Sequence, residues 1–271
     1  MQKSASSTGG ARAMVLRAAG TNCDRETVRA LELAGATVER VHVNRLAESP
    51  ELLDEVGLLA LAGGFTFGDD VASGAVLAHI LERRLSDAIE RFVEGGKLLV
   101  GVCNGFQILV RLGILPGGDG RAALLGNHSG KFEDRWVRLA TGSRATPWFE
   151  AHREFFVPVA HAEGRFAWFP SEEGAPFPAD QVAFRYLPRK EDAGPAGYPD
   201  NPNGSFDDIA GITNAAGNVL GLMPHPERFL VPEHHPSWMR HRRPDGSPPE
   251  ESDLPVPLGL EIYRRAVRSM R

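Results

Sequence analysis

The sequence predicts an α/β fold, with a mostly parallel central sheet flanked by helices and antiparallel strands added to it. Three observations predict it. Runs that are apolar throughout, such as Leu58 to Ala62 and Leu98 to Val102, alternate in the first half of the chain with segments of helical periodicity. A strand that is apolar on both faces must be covered on both, which is the condition of a parallel sheet between helix layers. Beyond about residue 130, short strand-like runs follow one another without helical segments between them, so they join the same sheet as antiparallel or mixed additions.

The elements follow in order. Ala13 to Leu16 is a short apolar strand ended by "RAAGTNCD", and from Asp24 onward Val28, Leu31 and Ala34 fall at helical spacing until Gly35 stops the pattern. Thr37 to Val43 alternates in strand fashion, and Leu58 to Ala62 runs into Gly63-Gly64. Val71 to Val93 carries helical periodicity up to Gly95-Gly96. Leu98 to Val102 is a buried strand, and Phe106, Leu109, Val110 and Leu112 form the face of the next helix. The later strands are Trp136 to Leu139, Phe155 to Ala160, Val182 to Tyr186, Ile209 to Thr213 and Val219 to Met223. Two segments, "LPRKEDAGPAGYPDNPNGS" and "VPEHHPSWMRHRRPDGSPPEESDLPVP", are dense in Pro, Gly and polar residues and read as elaborated loops. A closing helix places Leu260, Tyr263, Val267 and Met270 on one face. The expected organisation is one domain over 13–271 with a Pro-rich insertion at about 231–258, preceded by a disordered tail over 1–12. In such sheets ligands bind at the carboxyl ends of the strands.

Composition narrows the function. The chain has 271 residues and a formal net charge of −5, with basic residues interspersed among acids, so there is no electrostatic case for nucleic acid. Short clusters such as Arg240 to Arg243 read as solvated. No apolar run approaches a membrane span, and "MQKSASSTGGAR" has no apolar core of a secretory signal. Its Ser, Lys and Arg content without acids leaves a transit peptide as the alternative to a plain tail. Two cysteines, Cys23 and Cys103, form no disulfide framework and lack zinc spacing. A reducing, cytoplasmic location is expected.

Cys103 stands in "GVCNG", with a strand before it and a helix after. This is the G-x-nucleophile-x-G elbow with sulfur in place of oxygen, in which glycines permit a sharp turn that lifts the side chain above the sheet edge. The helix start favours the thiolate. It also supplies the Asn104 N–H as an oxyanion donor, and a second donor can come from the turn at Gly64. Free cysteine is equally a common core residue; on the elbow alone, nucleophile and packing stand level. Cys23, in a loop with no such frame, reads as packing or local contact.

A thiol nucleophile needs a base and an orienter. "NVLGLMPHPERF" supplies both types: prolines pin a loop at a strand end and leave His225 and Glu227 two residues apart, so a carboxylate can set the imidazole's tautomer. Standing alone, the motif also fits a loop histidine beside a solvated glutamate. The pairs His161/Glu163 and His225/Glu227 could be read as metal ligands, but the spacing fits no common zinc motif, and no metal is expected. The chain has no G-x-x-x-x-G-K-[ST] loop and no dinucleotide fingerprint, so no cofactor is expected on it.

Together the motifs carry a resemblance. "GTNCDRE", "GGFTFGDD", "GVCNGFQIL" with "LGILPG", "NPNGS" with "IAGI", and "GLMPHPER" resemble, in order, the glutamine amidotransferase subunits of phosphoribosylformylglycinamidine synthases, among the class I (triad) amidotransferases. The resemblance spans roughly residues 13 to 230 plus the closing helix, and implies a flavodoxin-like sheet. It implies a triad of Cys103, His225 and Glu227, acting on L-glutamine to release ammonia. Gln107, one helical turn after the cysteine, is implied as a substrate contact, as are His161 and Glu163, where Ala162 replaces the first glycine of the family's "HGEG". It further implies a synthetase subunit that binds ATP and magnesium and uses the ammonia in purine biosynthesis, and a small subunit that helps assembly. Other class I amidotransferases, and a catalytically silent binding protein on the same scaffold, are the alternative readings.

Overall fold

The computed structural model describes residues 10–118, 121–189, 194–241 and 256–270. Its first half is a run of β/α units: β1 (Arg12–Arg17), α1 (Asp24–Leu33), β2 (Thr37–His42), α2 (Val43–Glu48), β3 (Leu58–Leu61), α3 (Ala75–Glu94), β4 (Leu98–Val102) and α4 (Asn104–Arg111). Every residue of β3 and β4 is buried, as their uninterrupted apolar sequences require of strands covered on both faces. The second half contributes β5 (Arg121–Leu125), β6 (Glu133–Thr141), β7 (Glu154–His161), β8 (Arg165–Phe169), β9 (Val182–Tyr186), β10 (Ile209–Thr213), β11 (Val219–Leu222) and α5 (Leu258–Ser269).

Nine strands form one sheet in the order β2-β1-β3-β4-β11-β10-β9-β6-β7. The first five pair in parallel; β11 to β7 pair antiparallel. The parallel part has the strand order of flavodoxin, with its reversal between β1 and β3. The connection β1-α1-β2 runs one way along the sheet and β3-α3-β4 the other, so right-handed crossovers put α1 and α3 on opposite faces. In agreement, α1 packs on α5, and α3 on α4. Leu31, Leu81, Phe106 and Tyr263 are fully buried between these helices and the sheet, each large apolar side chain contributing about 1.5–3 kcal/mol by leaving water.

The structure departs from the sequence reading in several places. The expected helix from Val71 starts only at Ala75. Asp69 accepts the Gly74 N–H and the Ser73 hydroxyl, closing residues 69–74 into a loop in which Val71 has φ 71° and is almost wholly exposed. Helix α2 and strands β5 and β8 were not expected. α2 is only 6 residues long and is capped by His42, whose Nδ1 accepts the Asn44 N–H. β5 and β8 form a separate two-stranded sheet with weakly alternating burial. The expected tail over 1–12 ends early: Arg12 opens β1, and Ala11 is buried with its carbonyl accepting the Thr37 N–H. Residues 1–9 lie outside the described residues, as do 242–255 of the Pro-rich insertion; its residues 232–234 and 238–241 form short 3₁₀ turns. Among the described residues no helix is long and apolar enough to cross a membrane.

Candidate active site

Four loops at the carboxyl ends of β1, β3, β4 and β11 meet at one place. Cys103 follows β4 directly, with φ 51° and ψ −107°. A non-glycine residue held there stores roughly 1–3 kcal/mol of strain. It is held on both sides: its N–H donates to the Leu222 carbonyl at 2.8 Å, and its carbonyl accepts the Gln107 N–H at 3.1 Å. The flanking glycines of the elbow are required by close approach. A β-carbon at Gly101 would lie 2.5 Å from the Gly105 carbonyl oxygen, and one at Gly105 would lie 2.0 Å from that of Leu61, so only glycine lets α4 start against β3 and β4.

His225 follows β11, its N–H bonded to the Pro158 carbonyl at 2.8 Å. Pro226 opens a 3₁₀ turn over residues 226–228, which folds Glu227 back so that its Oε1 lies 2.6 Å from His225 Nδ1. Both side chains are almost fully buried, and among the described residues His225 Nε2 has no hydrogen-bond partner. Gly63 marks where the nucleophile and base candidates converge: a β-carbon there would lie 3.0 Å from His225 Cε1 and 3.4 Å from Cys103 Cβ. Burial works against charge on His225, but Glu227 and Cys103 outweigh it and lift the imidazole well above its ordinary range.

A pocket of about 210 Å³ opens on this pair, with Gly64, Cys103, His225, Phe132, Asp134 and Arg228 in its wall. The Gly64 and Asn104 N–H groups carry no acceptor among the described hydrogen bonds, while the Phe65 N–H is taken by the Gly20 carbonyl at 3.0 Å. The Asn104 side chain braces the β3 loop: it accepts the Thr66 hydroxyl at 2.6 Å and donates to Asp69 at 3.0 Å.

Gln107, His161 and Glu163 do not line this pocket. The Gln107 amide is taken up internally, accepting from Asn104 at 3.0 Å and donating to the Glu163 carbonyl at 2.6 Å. Glu163 Oε2 accepts the Ser73 N–H at 3.4 Å. His161 Nδ1 is 3.2 Å from Asn127 Oδ1, and its Nε2 is 3.5 Å from the Asn203 amide. Burial, then the charge of His225, lowers its pKa to about 4, which leaves it neutral.

Several residues at the site carry no functional signal in the sequence: Phe132, Asp134 and Arg228 in the pocket wall, and Cys23 behind it. Cys23, read as packing, is indeed buried, but its sulfur lies against the base candidate and accepts from Arg228 Nη2 at 3.1 Å. Both stand inside quoted motifs, "GTNCDRE" and "MPHPER"; what no motif shows is that the loops after β1 and β11 meet although β3 and β4 separate those strands in the sheet. Cys23, His225 and Glu227 each place a possible metal-ligand atom within 4.8 Å of the others. The Arg228 guanidinium on that sulfur opposes a second cation there.

This fold, with a cysteine elbow at the carboxyl edge of a flavodoxin-like sheet and a His-Glu pair on the neighbouring strand, is that of a glutamine amidotransferase, and residues 10–268 match the CobB/CobQ-like glutamine amidotransferase domain family. Among curated relatives, phosphoribosylformylglycinamidine synthase subunit PurQ of Dehalococcoides mccartyi is 41% identical, over 95% of this chain and 97% of its own length. PurQ of Picrophilus torridus is 43% identical, over 82% of this chain and 88% of its own. Among solved structures, that of PurLQS from Thermotoga maritima matches with a TM-score of 0.71 and 32% identity, covering 97% of this chain and all of the matched one. The chain belongs to the PurQ family of phosphoribosylformylglycinamidine synthase subunits.

Proposed function

We propose that this chain is the glutaminase subunit of a phosphoribosylformylglycinamidine synthase and that Cys103, His225 and Glu227 perform its chemistry. The observation that carries the reading is the strained Cys103 elbow sharing one pocket with the buried His225-Glu227 pair. The Cys103 thiolate attacks the side-chain carboxamide of L-glutamine, and the N–H groups of Gly64 and Asn104 hold the oxyanion of the tetrahedral intermediate. The imidazolium of His225, oriented by Glu227, gives its proton to the departing nitrogen, leaving ammonia and a glutamyl thioester. The neutral imidazole then takes a proton from water, which cleaves the thioester to glutamate and restores the thiolate.

Ammonia passes to a synthetase subunit, where ATP and magnesium are bound and formylglycinamide ribonucleotide becomes formylglycinamidine ribonucleotide; a small third subunit helps assembly. The likeness to a PurLQS structure supports work in such a complex. We assign no cofactor to this chain and place it in the cytoplasm. Gln107, His161 and Glu163 act behind the pocket, supporting the loops that shape it. In the complex, Cys103→Ala is expected to abolish glutamine-dependent amidine formation while leaving ammonia-dependent formation intact. Glutamine hydrolysis by the substituted chain at the wild-type rate would overturn the assignment.

A further inference from the structure

The two N–H groups assigned to the oxyanion stand on different segments, Gly64 in the loop after β3 and Asn104 at the first residue of α4. Both must aim at one oxygen, with each donor about 2.7–3.1 Å from it, so their spacing has to be set by a group that touches both segments. The side chain of Asn104, fully buried, is such a group. Its Oδ1 accepts the Thr66 hydroxyl at 2.6 Å and the Thr66 N–H at 3.4 Å, two residues past Gly64. Its Nδ2 donates to Asp69 Oδ1 and to Gln107 Oε1, both at 3.0 Å. A carboxamide turned end for end fills the same space, and the Asp69 carboxylate settles which way it faces: an ionised carboxylate only accepts, so the amide nitrogen must point at it.

Asp69 is held in an unfavourable setting. Its φ of 53° lies in the left-handed region, and burial raises its carboxyl pKa, with the charge of Glu163 adding to the shift. Three donors converge on it all the same: Asn104 Nδ2 at 3.0 Å, the Ser73 hydroxyl at 3.0 Å and the Gly74 N–H at 3.3 Å. The contacts close into a ring. The Ser73 N–H donates to Glu163 Oε2 at 3.4 Å, and the Glu163 carbonyl accepts from Gln107 at 2.6 Å, whose other end returns to Asn104. Thr66, Asp69 and Ser73 do not line the pocket over Cys103. We infer that Asp69 is a positioning residue for the oxyanion site: one carboxylate orients the Asn104 carboxamide and shuts the loop that carries Gly64, so that the two N–H groups hold the same point. The inference rests on the glutaminase reading above. The plainer role, closing the turn that leads into α3, needs only the bonds to Ser73 and Gly74 and predicts lost stability alone.

The test uses the full chain assembled with its synthetase subunit. Asp69→Ala is expected to lower kcat for glutamine hydrolysis by about 10- to 100-fold, as a displaced oxyanion donor does, while KM for L-glutamine moves by less than about 3-fold because no substrate contact is removed. The sharper probe is the γ-aldehyde analogue of L-glutamine. The Cys103 thiolate bonds to its carbonyl carbon, the π pair moves to oxygen, the His225 proton stays in place and nothing leaves, so the adduct puts an oxyanion in the site. Affinity for the aldehyde should fall by about the same factor as kcat. Asp69→Asn, which keeps an acceptor for Asn104 and an amide that can donate to the Ser73 hydroxyl, should recover most of both losses. Thr66→Val removes the hydroxyl at the other end of the Asn104 carboxamide and leaves the turn over 69–74 in place. It should repeat the selective loss to a smaller extent, and it decides the question if Asp69→Ala does not fold. Aldehyde affinity equal in wild type and in the folded variants, a loss carried by KM instead of kcat, or a fall in Tm with kcat unchanged overturns the inference alone. Failure of the aldehyde to inhibit the wild type overturns the Cys103 assignment, and the inference with it.

Discussion

Acidification should destabilise this fold through one identifiable side chain, His161. The ring is buried and held between Asn127 and Asn203, and its pKa falls from 6.5 to about 4, first by burial and then by the charge of His225. Between those two values the unfolded chain takes up a proton that the folded chain refuses. Stability therefore rises with pH across this window and is lost as pH falls through it. At about 1.4 kcal/mol for each pKa unit, the whole gap is worth about 3 kcal/mol, and about 2 kcal/mol of it is lost between about pH 7 and about pH 4.5. The assay is urea unfolding of wild type and His161→Gln at both pH values. The variant loses buried hydrogen bonds and should be less stable at neutrality by about 1–3 kcal/mol. Because glutamine does not titrate, its deficit should shrink by about 2 kcal/mol at the lower pH. A deficit constant to within about 0.5 kcal/mol would refute the burial argument.

Two further substitutions probe the site and the elbow. Glu227→Gln keeps a hydrogen-bond acceptor beside His225 but removes the charge that helps raise the imidazole pKa. Glutamine hydrolysis should fall by about 100-fold or more, and the alkaline limb of its pH profile should move to lower pH because the imidazolium is then lost sooner; an unmoved limb would separate Glu227 from the titration of His225. Gly105→Ala places a methyl group 2.0 Å from the Leu61 carbonyl oxygen. Overpacking of that kind costs about 1–3 kcal/mol, read as a fall of several degrees in Tm, and an unchanged Tm would show that α4 can shift away from β3 freely.

The sequence exposes those parts of the site whose cause is local. The elbow is legible because Gly101 and Gly105 bracket Cys103 within five residues, and each is there to avoid a specific backbone carbonyl. The His225-Glu227 pair is legible because one prolyl turn brings the two side chains together. β3 and β4 are legible because burial on both faces leaves no alternative to an apolar run. Periodicity starts α3 too early because it sees Val71 as apolar but does not see Asp69 closing the loop. Gln107 has the spacing of a pocket residue, yet Asn104 and Glu163 take both ends of its amide.

What the sequence hides is set by topology. Arg228 and Cys23 are 205 residues apart and in contact, because β1, β3, β4 and β11 lie in that order in the sheet and the loops that follow β1 and β11 meet over the strand ends between them. A site at such a reversal gathers one short loop from each strand end, and no window of sequence contains two of them. The functional weight of a residue there depends on which loops become neighbours. Cys23 has the local signature of a packed thiol, and burial bears that out. Its position beside His225 and its bond to Arg228 give that packing a second consequence: the thiol fixes where a guanidinium stands in the wall of the pocket. A Cys23→Ala chain should therefore fold and retain Cys103, yet bind L-glutamine more weakly, with KM rising more than kcat falls. If KM is unmoved while stability drops, the Cys23 sulfur is packing alone.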